Sequence, residues 1–300
     1  MSTPKDHHYV PRSFFKPWED QEKKVVVYER KNSRILRPYR QSTKSICVVR
    51  ELYSYTISVE DQKRNAIEQK LFSLLDNNAA TVLQKLQKMD GAVNLSDQDR
   101  YYFAVFIVSL RIRTPEMWNY YTKGAEKTLR EDLLKNHPTV EEEEIKKELK
   151  GHSLLEYMEK YHLMILENYG HDLMAECMIN KTFALSVMQM QWFVLKRNVE
   201  GTNLLSSDRP LVVLGSMESS NWALALAISP KHIFVASINP EFLHNILALS
   251  PRKLIKYMNI STIQQARNKA FAIDSCHSLR FFENNLGKHY NILPWTQGTF

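Results

Sequence analysis

"KKVVVYERKNSRILRPYR", Lys23 to Arg40, is the stretch on which the fold class turns. Three consecutive valines and a tyrosine are a run that favours a pleated, half-buried backbone, so Lys23–Arg30 predicts a strand. The polar "KNSR" that follows predicts a turn, and "ILRPYR" a second strand whose Pro38 belongs at an edge, because proline has no N–H for a ladder. "KSICVV" (44–49) and "LYSYTI" (52–57) add two candidate strands. The N-terminal part therefore predicts a small antiparallel sheet.

Working outward, the pattern changes to helical. From Val59 to Met89, Ile67, Leu71, Leu74, Leu75, Val82 and Leu86 recur at three- and four-residue steps, and Asp90–Gly91 supplies a stop. Ser96 is an N-cap for "DQDRYYFAVFIVSLRIR" (97–113), whose apolar residues surround nearly the whole circumference and place that helix centrally. It is expected to end at Thr114–Pro115, and a further helix to run from Glu116 to Lys135. Thr139 and Glu142 form a capping box for a charged, solvated helix, and Ser153–Tyr169 and His171–Lys196 continue the helical pattern. The stripe "MQMQWFVLK" (188–196) within the last reads as helical core.

Beyond Gly201, "NLLSSDRPLVVL", "NWALALAIS" and "HIFVASI" predict strands, whereas "PEFLHNILAL" and "ISTIQQARNKAFAI" predict helices. The order of strands, helical middle, strands and helices predicts an α+β fold. We expect a predominantly helical single domain over 1–300, with a small antiparallel sheet built from N-terminal and C-terminal strands. Its parts are an N-terminal motif and strands (1–58), a helical middle (59–200), and strands with closing helices (201–300). If the two strand groups join, the N-terminal motif lies near residues 202–238.

Composition narrows the function classes. A 44% hydrophobic content is enough for a substantial core, and the +7 formal charge fits an anionic partner without requiring one. Cys47, Cys177 and Cys276 are odd in number and lack CxxC spacing, which argues against a disulfide framework. There is no signal-peptide core and no apolar run of membrane-span length, so a cytoplasmic location with no membrane partner is expected. With only 8 Gly, a phosphate-cradling loop is not expected, and the interleaved signature of an RNA-recognition sheet is missing.

Three constellations carry potential chemistry. In "DHHYVPRSFFKPW" (6–18), His7 and His8 suit a general acid/base, a metal ligand or phosphate contacts, and Arg12 suits a bidentate anion contact. The alternative is that Phe14, Phe15 and Trp18 form a plug capped by the histidines. A ββα-metal nuclease motif would need a preceding hairpin and following Asn and His, which this context lacks. In "LLSSDRPLVV" (204–213), Asp208 is a candidate to orient a histidine or hold a metal, and Ser206 and Ser207 to donate to a substrate. A side-chain turn capping the strand is the competing reading. In "SLRIRTP" (109–115), Arg111 and Arg113 lie two apart, so one is expected to face inward, paired with an anion or with Asp208.

Taken in order, "HHYVPRSFFKPW", "IEQKLFSLL", "LRIRTP", "LLSSDRPLVVL", "LALAISPKHIFVAS" and "QQARNKAFA" resemble the bacterial family catalogued as domain of unknown function 4238. The likeness runs over nearly the whole chain. The family usually carries "SDNP" where this chain has "SDRP", so Arg209 departs from its pattern, as does "SFFKPW". What the resemblance implies is that His7, His8, Pro11, Arg111, Pro115, Ser207, Asp208 and Pro210 occupy motif positions and converge.

On this reading the expectation is a hydrolase acting on nucleic acid or a nucleotide, of a bacterial defence or toxin type. His7, His8 and Asp208 would be catalytic, and Arg12, Arg111, Ser206 and Ser207 would bind substrate. The cofactor is open, a divalent metal being one option. The rival is a non-catalytic module that recognises an anionic ligand, nucleic acid or a protein partner. A third reading makes the histidine segment a structural latch.

Overall fold

The computed structural model describes residues 5–56, 65–135, 147–149, 151–179, 181–215 and 222–289. The chain opens with β1 (Asp6–His8), α1 (Arg12–Phe15) and a 3-10 turn (Lys16–Trp18), then β2 (Lys24–Lys31), β3 (Arg34–Ile35), β4 (Tyr39–Ser42) and β5 (Val48–Arg50). A π-helical segment (Ile67–Phe72) leads into α2 (Ser73–Leu86), followed by β6 (Gly91–Ala92), α3 (Asp97–Ile112), α4 (Pro115–Lys135), α5 (Leu154–Tyr161), α6 (Leu163–Ile179) and α7 (Lys181–Met188). Strands β7 (Gln191–Lys196), β8 (Ser206–Ser207), β9 (Leu211–Leu214), β10 (Ala223–Ser229) and β11 (His232–Ser237) come next. Helices α8 (Pro240–Leu247) and α9 (Pro251–Gln264), strand β12 (Lys269–Ala272) and α10 (Leu279–Asn285) complete the series. Helix outweighs strand, 50% against 21%, and the sheets are small and antiparallel, so the fold is α+β and predominantly helical.

The chain divides into two compact units, the first made of residues 1–7, 50–73 and 115–180 and the second of 8–49, 74–114 and 181–300. In the first, α4 and α6 cross closely at Gly170, where a Cβ would stand 2.3 Å from the carbonyl oxygen of Thr122. Arg130 on α4 ties down this packing by donating to Glu159 at 2.7 Å and Glu167 at 2.5 Å. Its aromatic core gathers Tyr53, Phe72, Trp118 and His171. Ser153 caps α5 in a reciprocal box with Glu156.

In the second unit, α3 is buried at every residue from Phe103 to Ile112, as its all-round apolar pattern predicts, and Ser96 caps it by accepting the Asp99 N–H. Phe103 packs edge-on against Phe234 at 5.0 Å and Trp192 at 5.9 Å. One five-stranded sheet runs β6-β7-β11-β10-β9, another runs β3-β2-β12-β8 with β4 also on β2, and β1 pairs with β5 in a third, two-stranded sheet. The β2–β3 hairpin closes through Asn32 and Ser33, both at positive φ, and β4, just after Pro38, pairs with β2.

Three sequence expectations are corrected. The segment 191–196 is β7 rather than the end of a helix, since its short apolar run finds strand partners in β6 and β11. Residues 269–272, read as helix within "ISTIQQARNKAFAI", form β12, because pairing with β2 and β8 outweighs local preference. Leu52 and Tyr53 lie in a turn, and Ile57 of the same expected strand is outside the described residues. The Thr139–Glu142 capping box also lies outside them. The N-terminal strands β2, β3 and β4 share a sheet with Ser206–Ser207, joined through β12, whereas β1, which carries His7 and His8, pairs with β5 in a separate two-stranded sheet and β9, β10 and β11 belong to a third.

Candidate functional site

Successive residues of β1 point to opposite faces, and the two histidines are accordingly put to different uses. His7 is fully buried; its Nδ1 accepts the backbone N–H of Tyr53 at 3.0 Å and its ring stacks on Tyr53 at 5.5 Å. An accepting Nδ1 places the ring proton on Nε2. His7 thus fixes the turn at Tyr53.

His8 begins the second unit. Its ring lies within hydrogen-bond reach of the carbonyl oxygens of Thr43 and Lys44, while its Nε2 is buried with no hydrogen-bond partner among the described residues. A ring that donates one N–H to a carbonyl carries a bare lone pair on the other nitrogen when neutral. Burial holds its pKa below the usual 6.5; the two carbonyls oppose this shift, and the charges of Arg113 and Arg12 add to it. The protonated form of the ring is thereby disfavoured, and two arginines stand near it.

Those arginines have identifiable supports. Arg12 Nε donates to Thr43 Oγ1 at 3.2 Å, and the Thr43 hydroxyl donates to Glu19, so the arginine is placed by a polar chain. Arg111 and Arg113 are both buried, contrary to the expectation of one inward residue: α3 ends at Ile112, and Arg113, as the C-cap, departs from helical geometry. The partner of Arg113 is Asp76 at 2.9 Å rather than Asp208. Arg111 Nη1 reaches Gln265 Oε1 at 3.5 Å, and Gln265 Nε2 donates to the carbonyls of Arg209 and Leu211 at 3.2 and 2.7 Å. Burial, and secondarily the charge of Arg209, push the pKa of Arg111 well below its ordinary value.

The Ser-Ser-Asp segment is a built turn. Ser207 Oγ accepts the N–H of Arg209 at 3.1 Å, the side-chain turn anticipated as the competing reading. Ser206 is buried and its hydroxyl oxygen has no hydrogen-bond partner among the described residues. Asp208 Oδ1 accepts from Arg267 N at 2.9 Å, and Oδ2 from Asn268 N and Lys269 N, each at 3.0 Å. Both oxygens are thus engaged in clamping the entry to β12. Burial pushes the Asp208 carboxyl up to about 6 against the pull of those three amides.

The structure brings His8, Arg12 and Arg113 together, and separately Arg111 with Arg209 and Gln265. It also sets Asp208 near Cys47, whose thiol is pushed up by burial and then by that carboxylate, and the Cys47 backbone carbonyl accepts the N–H of Tyr9 at 3.0 Å. Of the motif positions, His8, Pro11, Arg111, Ser207, Asp208 and Pro210 fall in the second unit and His7 and Pro115 in the first. Local reading missed the Thr43 and Lys44 carbonyls, Asp76 and Gln265. Carbonyls leave no sequence signal, and the other two lie 37 and 154 residues from the arginines they meet. Among the described residues, the side chains grouped with metal-ligand spacing are Asp274, Cys276 and His277, rather than His7, His8 and Asp208.

These features define an α+β protein in which His8, the helix bearing Arg111 and the Ser-Asp turn belong to one compact unit. The chain belongs to the family described as Protein of unknown function (DUF4238), which matches residues 6–275. No curated protein and no solved structure matches it.

Proposed function

We propose that the chain is a hydrolase acting on a phosphodiester or nucleotide, with His8 as general base. The observation that carries the reading is the His8 imidazole: its Nε2 is unpartnered among the described residues, the backbone carbonyls of Thr43 and Lys44 lie near its ring, and Arg12 and Arg113 bear on it. In such a step Nε2 takes a proton from water as the water oxygen bonds to phosphorus, and the P–O bond to the leaving group breaks. Arg12 contacts the phosphoryl oxygens, and the Arg113 charge, fixed by Asp76, adds to the field that favours an anion there. Ser206 is a candidate substrate donor, whereas Asp208 supports the turn.

The test is turnover of labelled single- and double-stranded DNA and RNA and of nucleoside triphosphates, with and without added Mg²⁺, Mn²⁺ or Zn²⁺. Wild type is expected to cleave at least one of these, and His8→Ala to lose about 10²-fold or more in rate at an unchanged melting temperature. Equal rates in both proteins would remove His8 from the chemistry.

A second reading is supported by the saturation of Asp208. With that carboxylate engaged by three backbone amides, the site has a base but no carboxylate shown orienting it, which suits binding of an anion without turnover. Under this reading, wild type binds one of the same polyanions in a salt-dependent way, His8→Ala and Arg12→Ala bind it more weakly, and no product forms.

A further inference from the structure

After β12 the chain crosses Ile273 to Ser278 before entering α10, and three residues of this short connection bring unlike donors together. Ligand atoms of Asp274, Cys276 and His277 all lie within 4.8 Å of one another. Each has its surroundings arranged for it. Asn203 Nδ2 donates to Asp274 Oδ2 at 3.0 Å, fixing the carboxylate from a neighbouring segment, and Oδ1 accepts the Cys276 N–H at 3.2 Å. The His277 ring sits edge-on to Tyr28 at 6.4 Å and to Phe282 at 6.2 Å, and runs nearly parallel to Phe281. Its backbone is tied down as well, since Tyr28 donates its hydroxyl to the His277 carbonyl at 3.4 Å. His277 Nε2 is buried with no hydrogen-bond partner among the described residues, whereas Cys276 is exposed.

We propose that Asp274, Cys276 and His277 form a zinc site with three protein ligands and a fourth position open to solvent. This goes beyond the His8 reading and does not depend on it. The donor set selects the ion: a thiolate and an imidazole favour a borderline-soft metal over Mg²⁺ or Ca²⁺, which take oxygen ligands. Zinc bond lengths of about 2.0–2.3 Å at tetrahedral angles bring ligand atoms to roughly 3.5 Å apart, so the three must close in by about 1 Å. That movement falls on a connection outside regular structure, while Asn203 and the aromatic ring around His277 act as the outer supports that metal ligands characteristically have. On binding, the Cys276 S–H bond breaks, the sulfur bonds to zinc, and the proton leaves to solvent.

The experiment is a Co²⁺ titration of the full chain read by absorbance, followed by displacement with Zn²⁺. Wild type is expected to bind one equivalent with a thiolate-to-cobalt charge-transfer band that Zn²⁺ abolishes, and to melt at a higher temperature with Zn²⁺ than without. The band disappears in Cys276→Ser and persists in Cys177→Ser, which removes the other exposed thiol. Asp274→Asn, which leaves the thiol in place, weakens Zn²⁺ by about 10-fold or more. Since Cys276 is exposed, its serine variant is expected to melt with metal-free wild type; if it does not, Cys276→Ala is titrated in its place. A wild type with no band, or a band that survives loss of Cys276, overturns the site.

Discussion

Tyr53 donates its backbone N–H to Nδ1 of His7, so removing that ring leaves a buried donor without an acceptor. His7→Ala is therefore expected to cost about 1–3 kcal/mol, seen as a lower melting temperature, through an orphaned amide and a lost stacking contact. Asp208 poses a related case with a charge in it. In Asp208→Asn an NH₂ group replaces one of two oxygens that face three amide donors, and a loss of about 1–3 kcal/mol in denaturant melts is expected. The folded carboxyl is raised from 3.8 to about 6, so the native state binds more protons than the unfolded chain between those values. Wild type then loses stability as pH rises through that window, while the asparagine variant has no such titration. The cost of the substitution is predicted to be smaller at pH 7 than at pH 4. At this scale the sequence shows which residues matter, but assigns them roles poorly: the identical side chains of His7 and His8 acquire different tasks from a backbone amide and two backbone carbonyls.

Elements were legible where the signal is local. The Ser96 cap, the all-round apolar α3 and the Asn32–Ser33 turn are each set by a few neighbouring residues. β7 and β12 were not, because "QWFVLK" and "KAFA" are too short to reveal a period, and their strand state comes from partners far away in sequence. The close approach of α4 and α6 is equally invisible from the chain alone, resting as it does on the absence of a side chain at Gly170. Gly170→Ala would force a methyl group into the Thr122 backbone, and no rotamer relieves that. Despite the higher helix propensity of alanine, the variant is expected to lose about 1–3 kcal/mol, measurable as a fall in the urea midpoint.

For the whole molecule, the formal charge is +7, and binding of the proposed anionic ligand is expected to weaken with salt. Four histidines, His8, His171, His232 and His277, have pKa values lowered chiefly by burial. For such groups the unfolded chain takes up protons first, so their contribution to stability is complete above about pH 6.5 and is lost as pH falls below it. Acid titration of the melting temperature is expected to show that decline beginning near pH 6.5, and to show less of it in His8→Ala. That N-terminal strands would meet the Ser-Ser segment was anticipated from the order of elements, whereas the strand that joins β2 to β8, β12, required the structure.

The most direct test of the central claim is the pH–rate profile of hydrolysis by wild type and His8→Ala on whichever phosphodiester or nucleotide is turned over. If neutral His8 accepts the proton, the wild-type rate rises with pH through an inflection below 6.5, and the variant loses both the inflection and about 10²-fold or more in rate. A wild-type profile with no such limb, or one that His8→Ala reproduces, would contradict the assignment of His8 as the base.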